Sequence, residues 1–171
     1  MFDVKPLSHD AIAGALSKAE RYRLLNEAEE AESICQDILA IEPSHQAAIS
    51  TLILAITDQF HDHGVSGNVH RAQALVPLLD DDYSRAYFGG IICERRAKAY
   101  LSQNGLQAGA AGAAVYEWFR EAMQLFERAE SLRPAGNDDA VLRWNACVRV
   151  LRRHSHLRPA VEEERHPIMS E

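Results

Sequence analysis

The sequence has 171 residues, of which 47% are hydrophobic and 25% are charged, with nine glycines and six prolines. This composition excludes collagen-like and wholly disordered chains, and together with the length it predicts one globular domain. The formal net charge is −7, and residues 1–82 carry 14 acidic side chains against 5 basic ones, so we expect no nucleic-acid partner. No segment approaches the roughly 18 uncharged apolar residues that a membrane span needs, and no apolar export segment stands at the start, which predicts a cytoplasmic protein with no membrane partner.

Seven segments carry apolar residues at helical spacing, which predicts an all-α fold. The predicted helices cover residues 8–25, 27–41, 44–60, 68–76, 83–102, 113–132 and 138–154. Ser44 and Asp82 are candidate N-caps of the third and fifth helices. Pro77 ends the fourth helix, because its ring would clash with a longer one. Asn104 and Gly105 end the fifth helix, and the Gly/Ala-rich residues 105–114 are predicted to form a linker.

Two segments of the chain repeat each other at an offset of 91 residues, since residues 30–43 align with residues 121–134. The aligned pairs are Glu30/Glu121, Ala31/Ala122, Ile34/Leu125, Cys35/Phe126, Ile38/Ala129, Ile41/Leu132 and Pro43/Pro134. Their spacing predicts an apolar stripe on a helix that ends before a proline. The small residues in the stripe would let a neighbouring helix come close.

These stripes resemble the second helix of the tetratricopeptide repeat, which carries small, aromatic or aliphatic, small and proline residues at this spacing. The later copy matches the family pattern fully, as Ala122-x-x-x-Phe126-x-x-Ala129-x-x-x-x-Pro134. The earlier copy departs from it at Cys35 and Ile38, and Tyr22 falls where the family's first helix carries a tyrosine. The resemblance implies a right-handed α-α superhelix of about three degenerate repeats, with the seventh helix as a cap.

The resemblance also implies that the first helix of each pair lines a concave groove, in which a peptide or client segment binds. Counting helical turns from the matched positions predicts the groove residues Leu16, Glu20, Arg23, Ser50, Leu54, Thr57, Asp58, Tyr87, Ile91, Glu94, Arg95 and Arg149. The chain does not resemble the subgroup that clamps a C-terminal carboxylate, because Leu16, Glu20 and Thr51 replace the Lys, Asn and Arg of that clamp. We therefore predict a non-enzymatic module with a protein or peptide partner and no cofactor.

Two other functions stay open. A small acidic chaperone that keeps a hydrophobic client soluble is the first. The second is a metal-dependent enzyme that uses His61 and His63, with Asp62 between them and His70 nearby, although a polar connector between helices would need no metal. No nucleophile-elbow, zinc-protease or paired-carboxylate motif supports catalysis.

Cysteine and glycine positions lead to two predictions about packing. Cys35, Cys93 and Cys147 are odd in number and lack zinc-ligand spacing, so we expect reduced, buried thiols. Gly89 and Gly90 lie inside a helical pattern, where each costs about 1 kcal/mol relative to alanine. Close helix packing is the expected compensation.

The chain divides into a predicted helical repeat domain, residues 1–154, and a polar, disordered tail, residues 155–171. The tail carries apolar residues among its charges, namely Leu157, Pro159, Val161 and Ile168. We hypothesise that it occupies the groove of its own chain or of a second copy. The exposed face of the seventh helix also leaves a homodimer open.

Overall fold

The computed structural model describes residues 2–61, 65–104 and 110–159, and over these ranges the protein is all-α. The helices are α1 (Ile12–Leu24), α2 (Ala28–Ile41), α3 (Gln46–Asp58), α4 (Val65–Leu75), α5 (Asp82–Asn104), α6 (Ala110–Leu132) and α7 (Asp139–Arg153). All seven predicted helices are confirmed, with ends that differ by a few residues. One correction is that residues 110–114, expected in a linker, belong to α6. Residues 105–109 of that linker lie outside the described residues.

The helices pack in chain order. Each helix contacts the next one, which gives the hairpins α1/α2, α3/α4 and α5/α6, followed by α7. The odd-numbered helices also contact one another in sequence, α1 with α3, α3 with α5, and α5 with α7. No helix in the described part of the chain is both long and apolar enough to cross a bilayer.

The small and central positions of the repeated apolar stripe are buried in both of its copies, whereas Leu132 at its end is 44% exposed. The side chains of Ala31, Cys35 and Ile38 in α2, and of Ala122, Phe126 and Ala129 in α6, have no exposed surface. Helices α2 and α6 end at Ile41 and Leu132, two residues before Pro43 and Pro134. The prediction of a small-residue stripe on a proline-terminated helix is therefore confirmed.

The core has two large clusters that meet at α5. The first joins α1 to α5 around Ile49, Ile53 and Phe60, and the second joins α5 to α7 around Phe119 and Phe126. Phe88 of α5 packs against both clusters. The long helix α5 therefore couples the first two hairpins to the third hairpin and α7.

Two predicted helix caps are displaced by one residue. The N-cap of α3 is His45 rather than Ser44, and its Nδ1 accepts a hydrogen bond from the Ala48 N–H at 3.2 Å. At the start of α5, the Asp81 carboxylate, not that of Asp82, accepts from the Ser84 N–H at 2.7 Å. Hydrogen bonds from the Ser84 side chain and backbone lower the pKa of Asp81.

The predicted boundary between domain and tail is also corrected. Leu157 lies in the second cluster with 5% of its surface exposed, and its N–H donates to the His154 carbonyl oxygen at 2.9 Å. Because Leu157 packs into the core just after the end of α7, the folded part of the chain extends beyond residue 154. Residues 160–171 lie outside the described residues.

Gly90 lies at a close contact between α5 and α6. A Cβ atom at this position would lie 2.6 Å from Cε1 of the fully buried Phe126 ring. At neighbouring Gly89, a Cβ atom would lie 3.5 Å from Leu125 Cδ1, which is an ordinary contact. The predicted close packing is therefore confirmed at Gly90 alone.

We expect Gly90→Ala to lower the free energy of unfolding by about 1–3 kcal/mol, because the buried Phe126 ring has little room to move. Gly89→Ala should raise it by up to about 1 kcal/mol, because alanine favours the helix and meets no clash. Urea unfolding of both variants measures the difference. A Gly90→Ala protein as stable as Gly89→Ala would contradict the packing described here.

All three cysteines are buried, as predicted, and no two of them form a disulfide. Burial raises the pKa of Cys35, Cys93 and Cys147 to about 12. A buried thiol with so high a pKa is a poor nucleophile.

We expect the native protein to react slowly with a thiol reagent at pH 8, since a pKa near 12 reduces the thiolate fraction roughly a thousandfold. In denaturant the three thiols should react at once. Absorbance of the released chromophore, followed with and without denaturant, gives both rates. A thiol that reacts rapidly in the folded protein would show that its burial is wrong.

Candidate functional site

A row of ion pairs runs across the odd-numbered helices. Arg23 on α1 donates from Nε to Asp58 Oδ2 on α3 at 2.7 Å, and Arg95 on α5 pairs with the other oxygen of Asp58. Arg95 Nη1 also donates to the Thr57 hydroxyl at 2.7 Å and to the Leu54 carbonyl oxygen at 3.2 Å. One carboxylate thus joins three helices.

A second carboxylate extends this row to α7. Glu94 on α5 is fully buried, and it pairs with Lys98 one turn later on the same helix. Its other oxygen lies 3.4 Å from Nη1 of Arg143 on α7. A carboxylate without exposed surface needs such partners, because an unpaired buried charge is costly.

The two groups of ion pairs surround a cavity of about 260 Å³. It is lined by Thr57, Asp58, His61, Arg95, Lys98 and Arg143, and we call it the cationic cavity. Including Arg23 and Glu94, the ion pairs contain four cations and two carboxylates, which leaves a net charge of +2. This surplus stands out in a chain whose formal net charge is −7.

The surroundings of Arg95 and Arg143 shift the pKa values of these two side chains in opposite directions. Burial lowers the pKa of Arg95, and the carboxylate of Asp58 opposes that shift only in part. Burial would also lower the pKa of Arg143, but Glu94 and the Tyr87 hydroxyl more than compensate and raise it. Both guanidinium groups keep their charge at neutral pH, because arginine is not deprotonated in proteins.

Several predicted groove residues meet at this site. Thr57, Asp58 and Arg95 line the cationic cavity, Arg23 pairs with Asp58, and Leu54 contributes its carbonyl oxygen. These residues come from three different odd-numbered helices. The prediction that the odd-numbered helices share a face is supported by their contacts with each other.

Two of the predicted contacts are corrected. Ile91, 1% exposed, belongs to the second core cluster, and Glu94 has no exposed surface, so neither can meet a ligand directly. Glu94 instead holds Lys98 and Arg143 at the cavity. Tyr87 is half-buried and stacks on Tyr83, with ring centroids 5.7 Å apart.

The remaining predicted groove residues lie outside the lining of the cationic cavity. They are Leu16, Glu20, Ser50 and Arg149. Glu20 and Arg149 are exposed, and Leu16 and Ser50 are half-buried. Their role in binding stays a prediction.

Sequence reasoning missed two lining residues, Lys98 and Arg143, and it considered a third, His61, only as a metal ligand. A signal existed for Lys98, which lies four residues after Glu94 and so on the same helical face. For Arg143 there was none, because it reaches Glu94 from a different helix across 49 residues of chain.

The metal-binding alternative falls only in part on described residues. His61 Nδ1 lies 3.1 Å from the Ser102 hydroxyl, and His70 is exposed on α4. Among the described residues, no group of three or more His, Cys, Asp or Glu side chains is arranged to hold a metal ion. Asp62 and His63 lie outside the described residues.

A second, apolar cavity of about 420 Å³ lies between α1 and α2. It is lined by Leu7, Ala11, Gly14, Ala15, Lys18, Tyr22, Ile34 and Asp37. No side chain comes within 4 Å of where a Cβ atom on Gly14 would lie. This cavity differs from the cationic one in both its position and its chemistry.

Comparison with family models, curated proteins and solved structures gives no match to this chain. The likeness to the tetratricopeptide repeat therefore depends on the residues of this sequence alone.

We expect Asp58→Asn to lower the free energy of unfolding by about 1–3 kcal/mol. The substitution removes the shared partner of Arg23 and Arg95, which are only about one fifth exposed. The exposed pair of Glu117 and Arg120 provides the control, and Glu117→Gln should change stability little. Urea unfolding of both variants makes the comparison, and equal effects would contradict a stabilising role for Asp58.

Proposed function

We propose that the protein is a non-enzymatic interaction module that binds a peptide or client segment along its odd-numbered helices. The observation that carries this proposal is the cationic cavity, which has residues of α3, α5 and α7 in its lining. The odd-numbered helices contact one another in the order α1, α3, α5 and α7. An extended segment can contact several of them at once.

The chemistry of the cavity supports a binding role. It offers the ammonium group of Lys98 and the guanidinium group of Arg143, and its ion pairs leave a net positive charge. Side chains of this kind recognise carboxylates and backbone carbonyl groups. The resemblance to the tetratricopeptide repeat, whose members bind peptides on the corresponding helices, favours the same function.

The proposal is tested by selecting random 12-residue peptides on the purified protein by phage display. Enriched peptides should bind Lys98→Met at least about tenfold more weakly, because one charge-assisted contact is lost. The matched control is Arg120→Met, which removes an exposed cation of α6 and should leave affinity unchanged. Circular dichroism checks that both variants are folded.

Failure to enrich any peptide would count against the proposal. So would enriched peptides whose affinity is the same for Lys98→Met and for the unmodified chain.

The apolar cavity favours a second candidate function, a chaperone for a hydrophobic client. A Cβ atom on Gly14 would have no atom within 4 Å, so the side chain of Gly14→Leu has room to enter this cavity and occupy part of it. If apolar segments bind there, Gly14→Leu should weaken their binding, while Lys98→Met should not. The two variants therefore separate the two candidate functions.

A further inference from the structure

The charge of the cationic cavity is complementary to the end of the chain. Residues 160–171 contain Glu162, Glu163, Glu164 and Glu171 against a single cation, Arg165, and so carry a net charge of −3. We call these residues the acidic tail. The ion pairs at the cavity carry +2.

The last described residues hold the start of the acidic tail close to the folded domain. After α7, Leu157 turns back and is buried in the second core cluster. Leu54 and Tyr87 of α3 and α5 pack against the same cluster. Pro159, the last described residue, is exposed at the domain surface.

The length of the acidic tail can be compared with the distance along α7 to Arg143, which lines the cavity. Arg143 and Arg153 are ten residues apart on α7, which corresponds to about 15 Å. Twelve extended residues span up to about 40 Å, and the glutamates at 162–164 can lie up to about 17 Å beyond Pro159. The reach of these glutamates from Pro159 is therefore comparable to the distance between Arg153 and Arg143 along α7.

We propose that the acidic tail is an intramolecular ligand of the cationic cavity. Its three adjacent glutamates bind the cations that line the cavity, and a partner must displace them in order to bind. This inference rests on the proposed function, because it uses the same binding site, and it assigns acidic peptides as the class of ligand. The tail then sets a threshold of affinity that a partner must exceed.

The test uses a fluorescent synthetic peptide with the sequence of residues 160–171, and full-length chains. One chain is unmodified, and the other carries Glu162→Gln, Glu163→Gln and Glu164→Gln, so that its own tail no longer competes. A short tether gives an effective concentration of about 1 mM. For a peptide dissociation constant of about 100 μM, the unmodified chain should bind the peptide about tenfold more weakly than the triple variant.

Two further measurements identify the site. Lys98→Met in the triple variant should weaken peptide binding about tenfold, whereas Arg120→Met in the same background should not. A peptide with glutamine in place of the three glutamates should lose most of its affinity for the triple variant. That control needs no substitution in the cavity, so it stays informative if Lys98→Met fails to fold.

Equal peptide affinity of the unmodified chain and the triple variant would overturn the proposal, as would the absence of binding to the triple variant. The proposal would also be overturned if the difference in peptide affinity between the two chains grew with the concentration of the unmodified chain. The tail would then bind the cavity of a second copy instead of its own. None of these results would change the outcome of the phage-display selection, which tests the proposed function. Failure of this inference is therefore distinguishable from failure of the proposed function.

Discussion

Two shared carboxylates link the four odd-numbered helices of this protein. Asp58 joins α1, α3 and α5 through Arg23 and Arg95, and Glu94 joins α5 to α7 through Arg143. Removing an ion from water costs several kcal/mol, which is recovered only when its partners are correctly placed. Each carboxylate has two cationic partners, so a helix that shifted would leave a charge poorly compensated.

Helices α2 and α6 pack against their neighbours through an apolar stripe. In α2 and α6, small and apolar residues of the repeated stripe are fully buried, and Phe126 lies directly against the backbone of α5 at Gly90. Dispersion and apolar burial hold these contacts. Buried ion pairs contribute no more to stability than well-packed apolar residues would. The ion pairs of the odd-numbered helices therefore matter mainly because they leave a net positive charge at the cationic cavity.

The positive site acts at short range. The chain as a whole is negative, so it repels an acidic partner at a distance, but at physiological ionic strength this repulsion is screened beyond about 8 Å. Within that distance the cations around the cavity dominate. An acidic segment that is already tethered to the domain benefits most from such a site, because it does not have to approach from solution. This is the physical basis of the proposal that the acidic tail is a ligand of the cavity.

The sequence by itself determined the helices, the buried stripe at Ala31 and Ala122, the burial of the cysteines and the tight packing at Gly90. These features follow from residue spacing along one helix, which is a local property with a period of 3.6 residues. It also predicted Thr57, Asp58 and Arg95 as neighbours on one face. Only the tertiary structure decided that Arg143 meets Glu94 and that Ile91 is buried in the core, because the rotation and crossing of one helix against another are not encoded in the spacing of residues within either of them.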